Sequence, residues 1–233
     1  MKPGFAPLEE LLAARATIGA WLAEAQHEIG PFDAAFDDER FLLVFSSAGR
    51  HLGKASIALG ASEAARLEER GVGFRIDGWG VDELGRISLL GEAFARLAPS
   101  RAAALCEACY ARGDNRERQA VLRALPFVPE PGRFVPLAAD ACRTSVQTVF
   151  EALACENPFA AEQFPDLNFN QMVLKAMFNG VALARIVGLA RRAGPELARM
   201  ASDYAAERRA AGRSVPADID LVLVHANPTE AGR

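Results

Sequence analysis

The chain has 233 residues, 51 % of them hydrophobic and 24 % charged, with a formal net charge of −4. That length supports one domain, or one domain with a small appendage, and a sizeable core. The acidic balance argues against nucleic acid, because polyanion binding needs a basic footprint, and Tyr and Trp, the usual stacking platforms for bases, number two each.

Met1–Pro7 holds one Lys and two Pro, and no apolar run follows. This predicts no secretory leader. No stretch approaches the ~18–20 apolar residues of a membrane span. The longest candidate, Met172–Ala190, is interrupted by Lys175, Asn179 and Arg185. A cytoplasmic location is therefore expected, with the cysteines (Cys106, Cys109, Cys142 and Cys155) reduced.

Ala, Leu, Glu and Arg dominate the chain and favour helix nearly everywhere. Leu8–Ile29 reads as one long helix, ended by Gly30-Pro31. A second follows at Asp38–Ala48 and a third at about Lys54–Arg70. Gly71–Gly80 contains four glycines and is the clearest break; it allows a short strand at 73–76. Beyond it, helices are predicted at Val81–Leu97, Pro99–Arg112, Asn115–Leu125, Leu137–Cys155, Asn168–Phe178, Leu183–Arg192 and Pro195–Ala211. Pro216–Val224 adds a turn or two. The implied organisation is an N-terminal helical part (1–70), a Gly-rich connector (71–80), a helical-repeat part (81–224) and a flexible tail (225–233). The expected fold is all-α. The pairs 82–97/99–112, 115–125/137–155 and 169–192/195–211 match two-helix units of a HEAT-like α-solenoid, a right-handed stack of antiparallel helix pairs.

Several motifs imitate chemistry. Cys106-Glu-Ala-Cys109 has C-x-x-C spacing, but a structural zinc needs four ligands, and His27, His51 and His225 are scattered. Buried helical cysteines acting as small hydrophobes fit better. Gly49–Ser56 glances at a phosphate loop, yet Ala55 follows Lys54 and no strand precedes it, so a turn between helices is expected. No hydrolase elbow is present. Neither a metal nor a cofactor is implied.

Two polar groupings remain. Asp140, Arg143, Thr144, Gln147 and Glu151 recur at helical steps opposite an apolar stripe of Cys142, Val146, Val149, Phe150 and Leu153. They read as a solvated face or as one wall of a groove. The segment Asn168–Lys175 packs Asn168, Asn170, Gln171 and Lys175 into two turns, flanked by Phe164, Phe169, Met172 and Phe178. Asn168 fits a helix cap. Gln171 and Lys175 fit a cap less well, and polar groups framed by aromatics suit a small-molecule pocket. In that reading Glu151 and Lys175 supply charge, Asn170 and Gln171 orient the ligand, and Phe164 and Phe178 form apolar wall. Arg143, Gln147 and Asn157 complete the candidate set.

These same residues carry a family likeness. Arg143-Thr144, Val149–Ala152, Glu156-Asn157-Pro158, Asn168–Ala176, Pro195–Met200, Asp203-Tyr204-Ala205 and Glu207-Arg208 together resemble the EboA domain family of metabolite traffic proteins. The likeness is densest from about Phe134 to Gly212. It implies a part in a bacterial gene cluster that handles a secondary-metabolite precursor and moves it towards the periplasm, beside proteins resembling a prenyltransferase, metal-dependent hydrolases and sugar-phosphate enzymes. It implies no catalytic residues. Two readings follow: a non-catalytic protein binding a metabolite on a concave polar and aromatic face, or a scaffold for partner enzymes of the same cluster. An acid/base pair of Glu151 and Lys175 is a third, with nothing in the sequence to orient it.

Overall fold

The helical bias of the composition is realised throughout the computed structural model, which describes residues 4–13, 15–33, 35–76 and 78–224. The tail expected at 225–233 lies outside the described residues. Fourteen α-helices form among the described residues, and no strand does. The chain divides into two compact units, Met1–Leu137 and Ala138–Arg233.

The first unit contains α1 (Ala6–Ala13), α2 (Ala16–Ile29), α3 (Asp38–Leu52), α4 (Ala61–Glu69), α5 (Val81–Arg96), α6 (Pro99–Arg112) and α7 (Asn115–Ala124). The single helix expected over 8–29 is thus two. Arg15 leaves helical geometry between them, and its guanidinium pairs with Glu63 at 2.8 Å. The third expected helix is shorter, because Gly53 ends α3 at φ 74° and residues 53–60 are not helical. The phosphate-loop imitation is therefore a helix end. The strand allowed at 73–76 does not form. Instead Ser56 makes one isolated antiparallel bridge to Gly80, and Ile57 N–H donates to Trp79 O at 2.7 Å.

Helix α5 is the centre of this unit: every residue from Asp82 to Gly91 is buried. It packs on α2, α3, α6 and α7. Phe41, Phe45, Leu84, Ile87, Leu90 and Val121 build the core around it. Cys106 and Cys109 sit in that interior as the small hydrophobes expected of them.

The boundary between the units falls inside α8 (Val135–Ala141). The second unit continues with α9 (Gln147–Ala154), α10 (Phe159–Gln163), α11 (Asp166–Phe178), α12 (Leu189–Arg192), α13 (Pro195–Ala210) and α14 (Asp220–Leu223). Two long helices expected here are interrupted. The run 137–155 breaks at 142–146, where the Thr144 hydroxyl accepts from Val146 N–H at 3.1 Å and draws that donor out of the helical ladder. The run 183–192 is a 3₁₀ turn at Leu183–Arg185 followed by α12. Gly188, at φ 74°, separates the two, and a Cβ there would meet Ala161 at 2.7 Å. Phe150, Leu153, Phe159, Phe169, Val173, Leu183 and Leu197 fill the core of this unit.

Candidate functional site

The predicted polar residues of the second unit fall into separate structural settings. Where the helical run breaks at 142–146, backbone carbonyls lose the partners that a continuing helix would give them. Lys175 reaches across from α11 and donates to Cys142 O and Thr144 O, both at 2.5 Å. Its ammonium also lies 5.0 Å from the centroid of the Phe150 ring. The break at 142–146 and the position of Lys175 are therefore one feature: the interruption frees carbonyls, and the cation covers them.

Gln147 and Glu151 stay together, as their four-residue spacing requires, with Gln147 Nε2 donating to Glu151 Oε1 at 2.7 Å. Arg185 then joins the cluster. It donates from Nη1 to Glu151 at 2.6 Å and forks onto Glu156 at 2.8 and 2.9 Å. Its hydrogen bonds to Glu156, and secondarily to Glu151, raise the Arg185 pKa against its own desolvation. Glu156 N–H returns a bond to Arg185 O at 2.9 Å. Arg143 is exposed in the turn after α8.

Asn157 is buried and spends its amide on the backbone. Nδ2 donates to Ala152 O at 2.9 Å, and Oδ1 accepts from Phe159 N–H at 3.0 Å, opening α10. Phe164 is buried against Phe159, with ring centroids 6.1 Å apart. On α11, Asn170 is buried, Gln171 is exposed, and Phe178 is 64 % exposed. Asn168 does not cap the helix, which already begins at Asp166 behind Pro165.

A concave site lies at the far end of α11. Helix α11 ends in a Schellman turn: Gly180 takes φ 69°, Val181 N–H donates to Ala176 O at 2.9 Å, and Gly180 N–H to Met177 O at 3.2 Å. Helix α13 ends the same way. Gly212 takes φ 66°, Arg213 N–H donates to Arg208 O at 2.8 Å, and Gly212 N–H to Arg209 O at 3.0 Å. The second turn reverses the chain, so that Ser214–Asp218 returns alongside both helix ends. The result is a cleft of about 560 Å³. Met177, Phe178 and Val181 line one part of it, Tyr204 and Arg208 another, and the returning segment Val215–Asp218 a third. Phe178 and Tyr204 meet edge to face at 4.7 Å, and the Tyr204 hydroxyl donates to Met177 O at 3.2 Å. Of the predicted site residues, Phe178 lines this cleft. Tyr204, Arg208 and Asp218 were not singled out. Tyr204 and Arg208 lie in the segments that carry the family likeness, and the glycines at 180 and 212 mark the two helix ends that bring them to the cleft.

The first unit holds a second feature that sequence reasoning missed. Asp82 and Glu83, at the start of α5, look like ordinary first-turn acids but are buried. Asp82 Oδ2 accepts from Arg86 at 2.6 Å and from Arg116 at 2.8 Å. Burial pushes the Asp82 pKa up, but the hydrogen bonds from Arg116 and Arg86 outweigh it and hold the carboxyl below its usual value. Glu83 pairs with Arg123 and accepts from Gly80 N–H at 2.5 Å; its other oxygen has no hydrogen-bond partner among the described residues. Arg86 also donates to Phe45 O, and Ser46 to Glu117. These bonds join α3, α5 and α7. A Cβ on Gly80 would strike the Arg116 guanidinium and lie 2.5 Å from Asp82 Oδ1, so a side chain there would displace that ion pair. The arrangement acts as a joint between helices. Among the described residues no three His, Cys, Asp or Glu side chains converge to hold a metal ion.

Another groove of about 430 Å³ lies beside α4, floored by Leu67, Val72 and Ile76. No helix among the described residues is long and apolar enough to cross a membrane.

The fold and the cleft define a class: an all-helical protein with a small-molecule-sized cleft between two helix ends. The chain belongs to the EboA family, described as metabolite traffic protein EboA, whose family model matches residues 8–223. The match takes in the N-terminal half, where the sequence offered only general helical character. A search among curated proteins finds no match, and a search among solved structures finds none either.

Proposed function

We propose that this chain is a non-catalytic protein that handles a secondary-metabolite precursor by holding a small molecule in the second unit. The observation that carries this reading is the cleft of about 560 Å³ walled by Phe178 and Tyr204, in a chain whose family is named for metabolite traffic. Its volume falls in the range of ligand pockets, roughly 300–1,000 Å³. Phe178 is a ligand contact in this proposal. A cytoplasmic setting and a HEAT-like stacking of helix pairs within 81–224 belong to the same proposal.

Eight of the nine residues expected to bind a ligand have settings other than this cleft. Lys175, Glu151 and Asn157 are held by internal bonds, and Asn170 and Phe164 are buried. Their part in binding would have to come through positioning of α11.

A second reading is a scaffold for partner enzymes of the same cluster. It is favoured by Leu167 and Phe178, both 64 % exposed and on α11 with the exposed Gln171 between them. Exposed apolar side chains on one helix face suit a protein partner.

Native mass spectrometry of the protein from its own host separates the two. A discrete non-covalent adduct, diminished in Phe178→Ala, is expected. A bare monomer would sink the binding reading, and co-purification with another protein would favour the scaffold.

A further inference from the structure

The cleft carries more chemical information than its volume. Its one basic side chain is Arg208, in the last turn of α13. Arg208 is already oriented. Nε donates to Ser214 O at 2.8 Å, and the guanidinium carbon lies 6.0 Å from the Tyr204 ring centroid. Nη1 and Nη2 form no hydrogen bond or ion pair among the described residues. A planar fork with two uncommitted nitrogens matches a carboxylate or a phosphate. Because the side chain is held in place beforehand, less rotamer entropy is lost when an anion docks.

The remaining wall is apolar and ring-bearing. Phe178 is 64 % exposed and stands edge to face against Tyr204, over Met177 and Val181. A ligand that covers Phe178 removes a large apolar surface from water. The polar groups nearby are mostly occupied: the Tyr204 hydroxyl is bound to Met177 O, and Asp218 accepts from Leu183 N–H at 2.6 Å. Asp218 still brings negative charge to the cleft, which disfavours a ligand with several anionic groups.

We infer that the cleft between α11 and α13 takes a ligand with an apolar, ring-bearing body and one anionic head, a carboxylate or phosphate, which docks on the Arg208 guanidinium. This inference rests on the metabolite-binding reading and specifies its ligand class. The body lies against Phe178 and Tyr204. The head replaces water on Nη1 and Nη2.

The test is isothermal titration of the full chain with three probes of one shape: 2-naphthoate, 2-naphthyl phosphate and 2-naphthylmethanol. The anionic probes are expected to bind at least tenfold more tightly than the alcohol. Arg208→Gln removes that preference and leaves the alcohol unchanged. Arg208→Lys, which keeps the charge and loses the fork, retains part of it. Arg209→Gln, at the exposed neighbouring position, leaves the preference intact. Phe178→Ala weakens all three probes. The tighter of the two anions names the head group. Equal binding of alcohol and anions, or a preference that survives Arg208→Gln, overturns the Arg208 anchor. Absence of binding by every probe overturns the cleft as the site. Neither result bears on whether the protein from its host carries an adduct, so the metabolite reading stands or falls separately.

Discussion

Lys175 shows how a residue's chemistry and its placement diverge. An ammonium on an amide-rich helix suggests a ligand contact, yet its donors are spent on the carbonyls of Cys142 and Thr144. Hydrogen bonds to a charged group contribute roughly 1.5–3 kcal/mol. Lys175→Met, which keeps the stem, should therefore lower unfolding free energy by about 2 kcal/mol in a urea titration. Gln171→Ala, on the exposed side of the same helix, should stay within about 0.5 kcal/mol. Equal stabilities for the two variants would show that the ammonium is not holding the turn at 142–144. Asp82 makes the complementary case. Removing one partner of a buried ion pair costs about 3–5 kcal/mol, because the remaining charges lose their counterpart. Asp82→Asn should destabilise by that order at pH 7. The folded-state pKa is lowered, so the stabilisation is present above the unfolded value of about 4 and is lost as pH falls through the lower folded value. The gap between wild type and variant should narrow below about pH 4. A gap that is constant from pH 7 to pH 3 would mean that the carboxylate charge is not its source.

At the scale of elements, helix ends shape the second unit. Helix formation is encoded locally, but the breaks arise from different causes. Thr144 competes for Val146 N–H and interrupts 137–155. Gly180 and Gly212 end α11 and α13 in left-handed geometry and set the two sides of the cleft. A Cβ at either glycine would meet nothing within 4 Å, so a substitution there is penalised by the backbone alone. Gly180→Ala and Gly212→Ala should each cost about 1–2 kcal/mol, measured by thermal unfolding. Gly180→Asn should cost less, since Asn tolerates that geometry. If Ala at both positions is neutral, the left-handed turns do not hold the cleft walls.

At the scale of the whole molecule, the cysteines report on its integrity. Cys106, Cys109 and Cys155 are buried, and Cys142 is half-buried. Desolvation pushes the thiols of Cys106, Cys142 and Cys155 up to about 12 and raises Cys109 as well. The thiolate is the reactive form, so the native protein should be inert to a thiol-specific disulfide reagent at pH 8. All four should react after unfolding in guanidinium. Rapid labelling of the native protein at Cys106 or Cys109 would contradict the burial of the C-x-x-C pair.

Much of this was open to reading in the chain itself. Helices α5, α6 and α7 fall where periodicity and caps place them, because Asp114 accepts from Arg116 and Glu117 N–H and Pro99 opens α6. The burial of the C-x-x-C pair follows from its position on the apolar side of a helix. The family likeness, carried by residues of the last third, extends over 8–223. Tertiary structure decided the rest. Periodicity shows that Asp82 lies in the first turn of a helix, but only the packing of α3 and α7 on α5 turns a solvated acid into a buried pair. Side-chain spacing puts Lys175 and Gln171 on one face, but the turn at 142–144, distant in sequence, commits one of them. The cleft belongs to no single segment: Phe178, Arg208 and Asp218 converge because two helices end in glycine and the chain returns between them. Local propensity encodes each helix end separately; the space enclosed between two of them exists only once both are packed.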